Sequence, residues 1–168
     1  MCYVHLVPEP LPVELMNTVR ADADVLDDGW PRTAGLDGPV ELEQLRNLRR
    51  ALRRLAADAT DDPRQPLDPM SRAAALATVN VLAEQAVSRL SWPADGAPER
   101  VLHGPATGVI ATLGIELFAG AERGRLRACL APNCVLYFVK EHTRREWCSP
   151  GCGNRARVAR HYQRHRQD

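Results

Sequence analysis

The sequence of 168 residues has few aromatic side chains and no long apolar run. Phe, Trp and Tyr together make up 5% of the chain, so a core must be built mainly from Leu, Ala and Val. No stretch approaches the roughly 18 apolar residues that a transmembrane helix needs. Pro8, Pro10 and Pro12 interrupt the amino-terminal segment before it could act as a signal peptide. We therefore expect a soluble, cytoplasmic protein.

Motifs of catalysis are also missing from the first two thirds of the chain. No glycine-rich loop of the phosphate-binding type is present, and no serine lies in a nucleophile elbow. His5 and His103 are isolated in the sequence. The sequence therefore predicts that the protein is not an enzyme.

Charge is unevenly distributed along the chain, although the net charge is only +1. Residues 1–121 hold 11 Lys and Arg against 17 Asp and Glu, whereas residues 122–168 hold 11 against 4. The two parts thus carry −6 and +7. This segregation predicts a body at 1–121 and a basic module at 122–168 that meets a polyanion or an acidic partner.

The body is predicted to be α+β and mainly helical. Apolar periodicity predicts helices over residues 11–20, 40–59, 70–90 and 107–118, a first strand over 1–7 and a loop over 22–39. Asp68 before Pro69 predicts the amino-terminal cap of the third helix. Asp95-Gly96 between two strand-like segments predicts a hairpin. The arginines of 40–59 are flanked by acids, so we favour a solvated face with local ion pairs over a nucleic-acid surface.

Four of the five cysteines cluster in the basic module with the spacing C-x4-C-x13-C-x3-C. Two closely spaced pairs can supply the four corners of a tetrahedral zinc site, and thiols stay reduced inside cells. We therefore predict one structural Zn2+, with an iron site of four thiolates, a redox pair and unrelated buried thiols as alternatives. The predicted ligands are Cys129, Cys134, Cys148 and Cys152.

The residues around the cysteines predict a knuckle, a hairpin and a helix in that order. Pro132-Asn133 favours a tight turn, residues 135–139 and 145–148 favour two strands, and Ser149-Pro150 favours a capped helix start. This order describes a treble-clef zinc finger. Four cysteines would close the coordination sphere, which leaves no position for a catalytic water.

The final helix, predicted over 150–166, divides into two faces. The face on the side of Cys152 is predicted to pack and consists of Arg155, Val158, Ala159 and Tyr162. The opposite face is the candidate DNA-binding surface and consists of Arg157, Arg160, His161 and Arg164. Lys140, Arg144 and Arg145 at the preceding hairpin are expected to add phosphate contacts. Arg155 and Asn154 are predicted to be structural. A protein partner for the same face remains the alternative.

The segment CSPGCGNR, with CLAPNC and LYF upstream, resembles the CGNR zinc finger over residues 125–165. The segments LPVELMNTV and LEQLRNLRRALRRL, and the helix around Val79-Asn80, resemble the ABATE domain that precedes this finger in other proteins. The resemblance implies a stress-induced transcriptional regulator of bacteria that works at the nucleoid. It further implies a treble-clef finger for DNA and an α+β body that binds a small-molecule ligand.

Overall fold

The computed structural model describes residues 9–36, 41–67 and 69–165. The strand predicted over residues 1–7 and the cap predicted at Asp68 lie outside these ranges. Within them the protein is α+β, with a mainly helical amino-terminal part followed by the region of the four cysteines. The helices are α1 (Leu11–Met16), α2 (Trp30–Thr33), α3 (Leu42–Ala59), α4 (Arg72–Ala83), α5 (Ala106–Ala119) and α6 (Pro150–His165). The strands are β1 (Val87–Ser91), β2 (Glu99–His103), β3 (Leu126–Ala128) and β4 (Tyr137–Val139).

Helix α3 lies at the centre of the body, as its strong apolar periodicity predicts. It packs against α1, α4 and α5, and Leu45, Leu48 and Leu52 are fully buried on its inner face. Gly114 of α5 faces this helix, and a Cβ atom there would lie 2.7 Å from Cδ2 of Leu52. The glycine that weakens the helical propensity of α5 therefore permits its close approach to α3.

The prediction of a solvated arginine face on α3 is only partly correct. Arg46 and Arg54 do form local ion pairs, with Glu43 and Asp58. Arg49 is instead buried and donates to Asp24 and Thr18. Arg53 donates to the carbonyls of Met16 and Val135. These two guanidiniums reach neighbouring segments that lie far away in the sequence, which periodicity does not reveal.

The helix predicted over residues 70–90 is too long at both ends. It begins at Arg72, because the Ser71 side chain accepts a hydrogen bond from the Ala74 amide at 3.1 Å. It ends at Ala83, and the chain continues as β1, which pairs with β2 in antiparallel register from Val87↔His103 to Ser91↔Glu99. The predicted hairpin is confirmed. Its first strand, however, includes residues 87–90, which the apolar periodicity assigned to the helix.

A short helix interrupts the loop predicted over residues 22–39. The carboxylate of Asp27 accepts hydrogen bonds from the amides of Gly29 and Trp30, both at 2.9 Å. This turn leads into α2, whose Trp30 packs against the body's core. Side-chain acceptors of this kind start helical turns in segments that composition alone assigns to loop.

Strands β3 and β4 pair with each other and join the cysteine region to the body. Leu126, Tyr137 and Val139 are buried in the same apolar cluster as the helices of the amino-terminal part. The second strand predicted over residues 145–148 is not formed in the described chain, which runs there as bends and turns. Thus the knuckle and final helix of the predicted finger are present, whereas β4 pairs with a strand before the knuckle. No helix within the described ranges is long and apolar enough to cross a membrane.

Candidate metal centre

The first pair of cysteines lies on the loop that joins β3 to β4. The amide of Cys129 donates to the Leu136 carbonyl at 2.9 Å, and the amide of Cys134 donates to the Ala131 carbonyl at 3.0 Å. Asn133 adopts a left-handed conformation with φ of 58°, which asparagine tolerates better than most residues. The tight turn predicted at this position is present, and it brings both sulfurs to the same side of the loop.

The second pair lies at the start of α6. The Ser149 hydroxyl accepts a hydrogen bond from the Cys152 amide at 3.2 Å, and Pro150 occupies the first helical position, as predicted. This cap satisfies an amide that would otherwise lack a partner within the helix. It holds Cys148, just before the helix, 3.4 Å from Cys152 between sulfur atoms.

The four sulfur atoms lie within 4.8 Å of one another, and all four cysteines are buried. The Cys134 and Cys148 sulfurs are 3.8 Å apart. A tetrahedral zinc ion with Zn–S bonds of about 2.3 Å has sulfur–sulfur edges of about 3.8 Å. A disulfide would require about 2.05 Å. The cluster therefore fits one metal ion, and the all-thiolate donor set fits zinc.

The close approach of four ionisable sulfur atoms also favours a bound cation. Hydrogen bonds with the sulfurs of Cys129 and Cys134 raise the pKa of the Cys148 thiol, and burial raises it further. Ionisation of all four sulfurs within such a small volume therefore needs a positive charge among them. A divalent metal ion would supply that charge and would tie the knuckle to α6.

The four residues of the segment CGNR have different environments. Cys152 is one of the sulfur donors. A Cβ atom on Gly153 would lie 3.0 Å from Cδ1 of Trp147, so this position has little room for a side chain. Asn154 is exposed. The guanidinium of Arg155 donates to the Cys152 sulfur at 3.0 Å, a contact that would stabilise a thiolate.

Two family models match this chain. One is described as "CGNR zinc finger" and matches residues 125–165. The other, ABATE, is described as "Putative stress-induced transcription regulator" and matches residues 7–121, about two thirds of the chain. The chain belongs to the ABATE family. No curated protein matches it.

A side chain of the ABATE part binds the backbone of the knuckle, the turn from Cys129 to Cys134. The sequence did not predict this contact. Arg64 donates to the carbonyl oxygens of Cys129 at 3.2 Å and Cys134 at 2.8 Å. Its guanidinium is oriented by an ion pair with Asp62, whose carboxylate also accepts from the Tyr137 hydroxyl at 2.8 Å. Arg64 follows a proline in a segment whose composition predicts a loop. No periodicity or motif in the sequence marks it as a functional residue.

Arg145, predicted to contact DNA, is occupied by contacts within the protein. It forms an ion pair with Glu9 at 2.6 Å, and the side chains are only 11% and 5% exposed. It also donates to the carbonyls of Val139 and Cys148, and it stacks over the Phe138 ring at 4.9 Å. This arginine therefore joins the body to the segment before Cys148 and is not available to a phosphate. Arg144 beside it is exposed.

The predicted division of α6 into two faces is partly wrong. Ala156 is buried and Ala159 half-buried, but Val158 and Tyr162, expected to pack, are 46% and 66% exposed. The candidate DNA-binding residues Arg157, Arg160, His161 and Arg164 are all exposed. The helix packs against the rest of the described chain as far as Ala159, and residues 160–165 are exposed.

Arg157 and the loop before α6 line one open groove. This groove runs between residues 141–149 and the first turns of the helix, and Arg144 lines its other side. Glu141 and Glu146 also lie along it, so the groove itself carries mixed charge. The strongly basic surface lies further along the helix, beyond Ala156.

Proposed function

We propose that the protein is a zinc-dependent transcriptional regulator of bacteria, in which α6 contacts DNA and the ABATE part senses a ligand. The observation that carries this proposal is the exposed, basic second half of α6. We expect the protein to act in the cytoplasm at the nucleoid, in response to stress, as the description of the ABATE family suggests.

The second half of helix α6 is exposed and basic, as expected of a helix that binds an anionic partner. Its 16 residues span about 24 Å, and every residue from Arg160 to His165 is exposed. Isolated helices of this length are marginal in water, and this one includes no acidic residue that could form ion pairs along it. A polyanion would neutralise its charge and order its last turns.

The charge of the cysteine region supports a polyanionic partner over an acidic patch on a small protein. With four thiolates and one divalent zinc ion, the region from residue 122 onward changes from +7 to about +5. DNA attracts such a surface through its phosphates, and binding then weakens steeply with salt. Arg157, Arg160 and Arg164 are the strongest candidates for these contacts, with His161 and Arg144 beside them.

Fluorescence anisotropy with labelled duplex DNA across a salt series would test this function. The zinc-loaded chain is compared with R157A/R160A/R164A and with a control, R32A/R89A/R123A, which removes three exposed arginines elsewhere. If each helix arginine meets one phosphate, the first variant lowers the salt slope by about 3 and the control leaves it unchanged. Absence of binding at low salt, or equal loss in the control, would contradict the proposal.

One observation favours a second function, that of a zinc-stabilised module for protein contact. Val158 and Tyr162 are exposed and lie one turn apart on α6, an arrangement that suits an apolar groove of a partner. A partner that remains bound after nuclease treatment, and that is lost in V158S/Y162S but not in the arginine variant, would support this alternative.

We infer no catalytic role for the metal. Four sulfur donors complete a tetrahedral zinc sphere, and hydrolytic zinc sites keep one position open for water. Detection of a zinc-bound water in place of one sulfur would contradict this inference.

A further inference from the structure

A narrow cleft lies between helix α3, the segment that follows it and the residues that lead from the knuckle into β4. It encloses about 70 Å³, which is room for several water molecules or one small group. Four arginines line it, and among the described residues Asp62 is the one acid that does so. The arginines are Arg50, Arg53, Arg54 and Arg64. Arg54 is already paired with Asp58, and Arg64 with Asp62.

Arg53 gives the clearest sign that the cleft accepts an anion. Its guanidinium donates to the carbonyls of Met16 at 2.8 Å and Val135 at 2.9 Å, and it lies over the Tyr137 ring at 5.2 Å. These partners are neutral, and within the described ranges Arg53 has no ion pair with a carboxylate. Burial lowers the pKa of Arg53 and the charge of Arg64 adds to this effect, whereas Tyr137 and Asp62 act in the opposite direction. A half-buried guanidinium whose hydrogen-bond partners are neutral would gain from a bound anion.

Asp62, the acid among the described lining residues, does not fill this role. Asp62 already accepts three hydrogen bonds from the Arg64 side chain and one from the Tyr137 hydroxyl. Its oxygens are therefore already used in hydrogen bonds with Arg64 and Tyr137. Arg53 therefore lines the cleft without a carboxylate partner among the described residues.

Apart from Gln65, the rest of the lining is mainly apolar and indicates the kind of anion. Ala57, Pro66, Val135 and the ring of Tyr137 form the walls, and Leu67, which is 53% exposed, lies at the mouth. Such walls contribute little to binding inorganic phosphate but favour a ligand with a hydrocarbon body. We propose that this cleft binds a small organic acid, with the carboxylate beside Arg53 and the apolar part between Leu67, Val135 and Tyr137.

The position of the cleft suggests how an occupant would affect the finger. Arg64 lines the cleft and also holds the carbonyls of Cys129 and Cys134. An anion in the cleft would compete with these two carbonyls for the Arg64 guanidinium. Its binding would therefore weaken the hydrogen bonds that hold the backbone of the knuckle. This coupling rests on the proposed regulatory function, whereas binding itself can be measured without DNA.

Calorimetric titration of the zinc-loaded full chain tests the proposal, with benzoate as the probe at constant ionic strength. Benzamide, of similar shape but uncharged, is the control, and inorganic phosphate tests the chemical class. We expect saturable benzoate binding with Kd of about 1 mM or below and binding of benzamide and phosphate at least about tenfold weaker. No saturation, or equal binding of benzamide, overturns the site; tighter binding of phosphate overturns the organic class.

Two variants locate the binding. R53M removes the central charge, and L67E places a carboxylate at the exposed mouth, where it competes with the ligand without disturbing the core. Both should weaken benzoate at least about fivefold, whereas L67Q should not. If R53M fails to fold, L67E alone decides, and unchanged binding in L67E overturns the location. Failure here leaves the DNA proposal standing, since that proposal is measured on α6 without benzoate.

Discussion

The side-chain amide of Asn17 pairs with both backbone groups of Tyr137, 120 residues further along the chain. It donates to the Tyr137 carbonyl at 2.8 Å and accepts from the Tyr137 amide at 2.9 Å. This side chain and that of Glu9, which accepts from the Val139 amide at 2.8 Å, thus occupy one edge of β4 in place of a neighbouring strand. The body and the cysteine region are joined by backbone recognition as well as by a common core.

Substitution of Asn17 by Ala should destabilise the folded protein by about 2–4 kcal/mol. It leaves the buried amide and carbonyl of Tyr137 without partners, and each such group costs about 1–3 kcal/mol. Urea unfolding of the zinc-loaded chain measures the effect. N47A, at an exposed position of α3, serves as the control, and a midpoint for N17A equal to that of N47A would refute the role of this pair.

Substitution of Arg145 by Met should lower stability by about 3–5 kcal/mol, because Glu9 would remain buried without its cation. R144M, at the exposed neighbour, should have little effect on stability. Thermal or urea unfolding distinguishes the two variants, and E9Q/R145M should recover part of the loss. A stable R145M protein with weakened DNA binding would instead restore the role that the sequence suggests for this residue.

Alkaline pH should weaken the fold through Tyr137. Burial, together with its hydrogen bond to Asp62, raises the pKa of Tyr137 to about 12, whereas an unfolded tyrosine ionises near 10. The native state then keeps a proton that the unfolded chain loses, so the free energy of unfolding falls as pH rises from about 10 to 12, by roughly 2–3 kcal/mol.

Urea unfolding of wild-type protein and Y137F across this range checks that expectation. The hydroxyl is absent from Y137F, so this variant should lose less stability with rising pH. Parallel pH profiles for the two proteins would show that the Tyr137 hydroxyl is not the responsible group.

The ion pair of Asp24 with Arg49 should be visible in the acid range. The Arg49 guanidinium lowers the pKa of Asp24 to about 2. The stabilisation from this pair is present above about pH 4 and is lost as the pH falls through 2. Because the Asp24 side chain is 42% exposed, we expect it to contribute no more than about 1 kcal/mol. In R49M, a carboxyl NMR titration should find the pKa of Asp24 near 3.8, and a pKa that stays near 2 would contradict this assignment.

The local features of the fold could be read from the sequence. The cysteine spacing, the Ser149 cap, the periodicity of α3 and the Asp95-Gly96 hairpin each arise from residues close together in the chain. Short-range geometry determines these features, so a pattern of a few residues suffices to predict them.

The contacts that join the two parts could not be read in this way. Glu9 and Arg145 are 136 residues apart, and Arg53 and Val135 are 82 apart. The same limit explains the error on α6, where an apolar stripe at Val158 and Tyr162 predicted packing. A stripe shows that a face can be buried, but the part of the fold that the structure describes supplies no neighbour for it.

The central claim is that one metal ion, held by four thiolates, ties the knuckle to α6. X-ray absorption at the zinc edge of the purified full chain, with elemental analysis, tests it most directly. We predict one zinc per chain, with four sulfur neighbours at about 2.3 Å. Folded protein without stoichiometric metal, or a zinc shell that contains nitrogen or oxygen in place of a sulfur, would contradict the account.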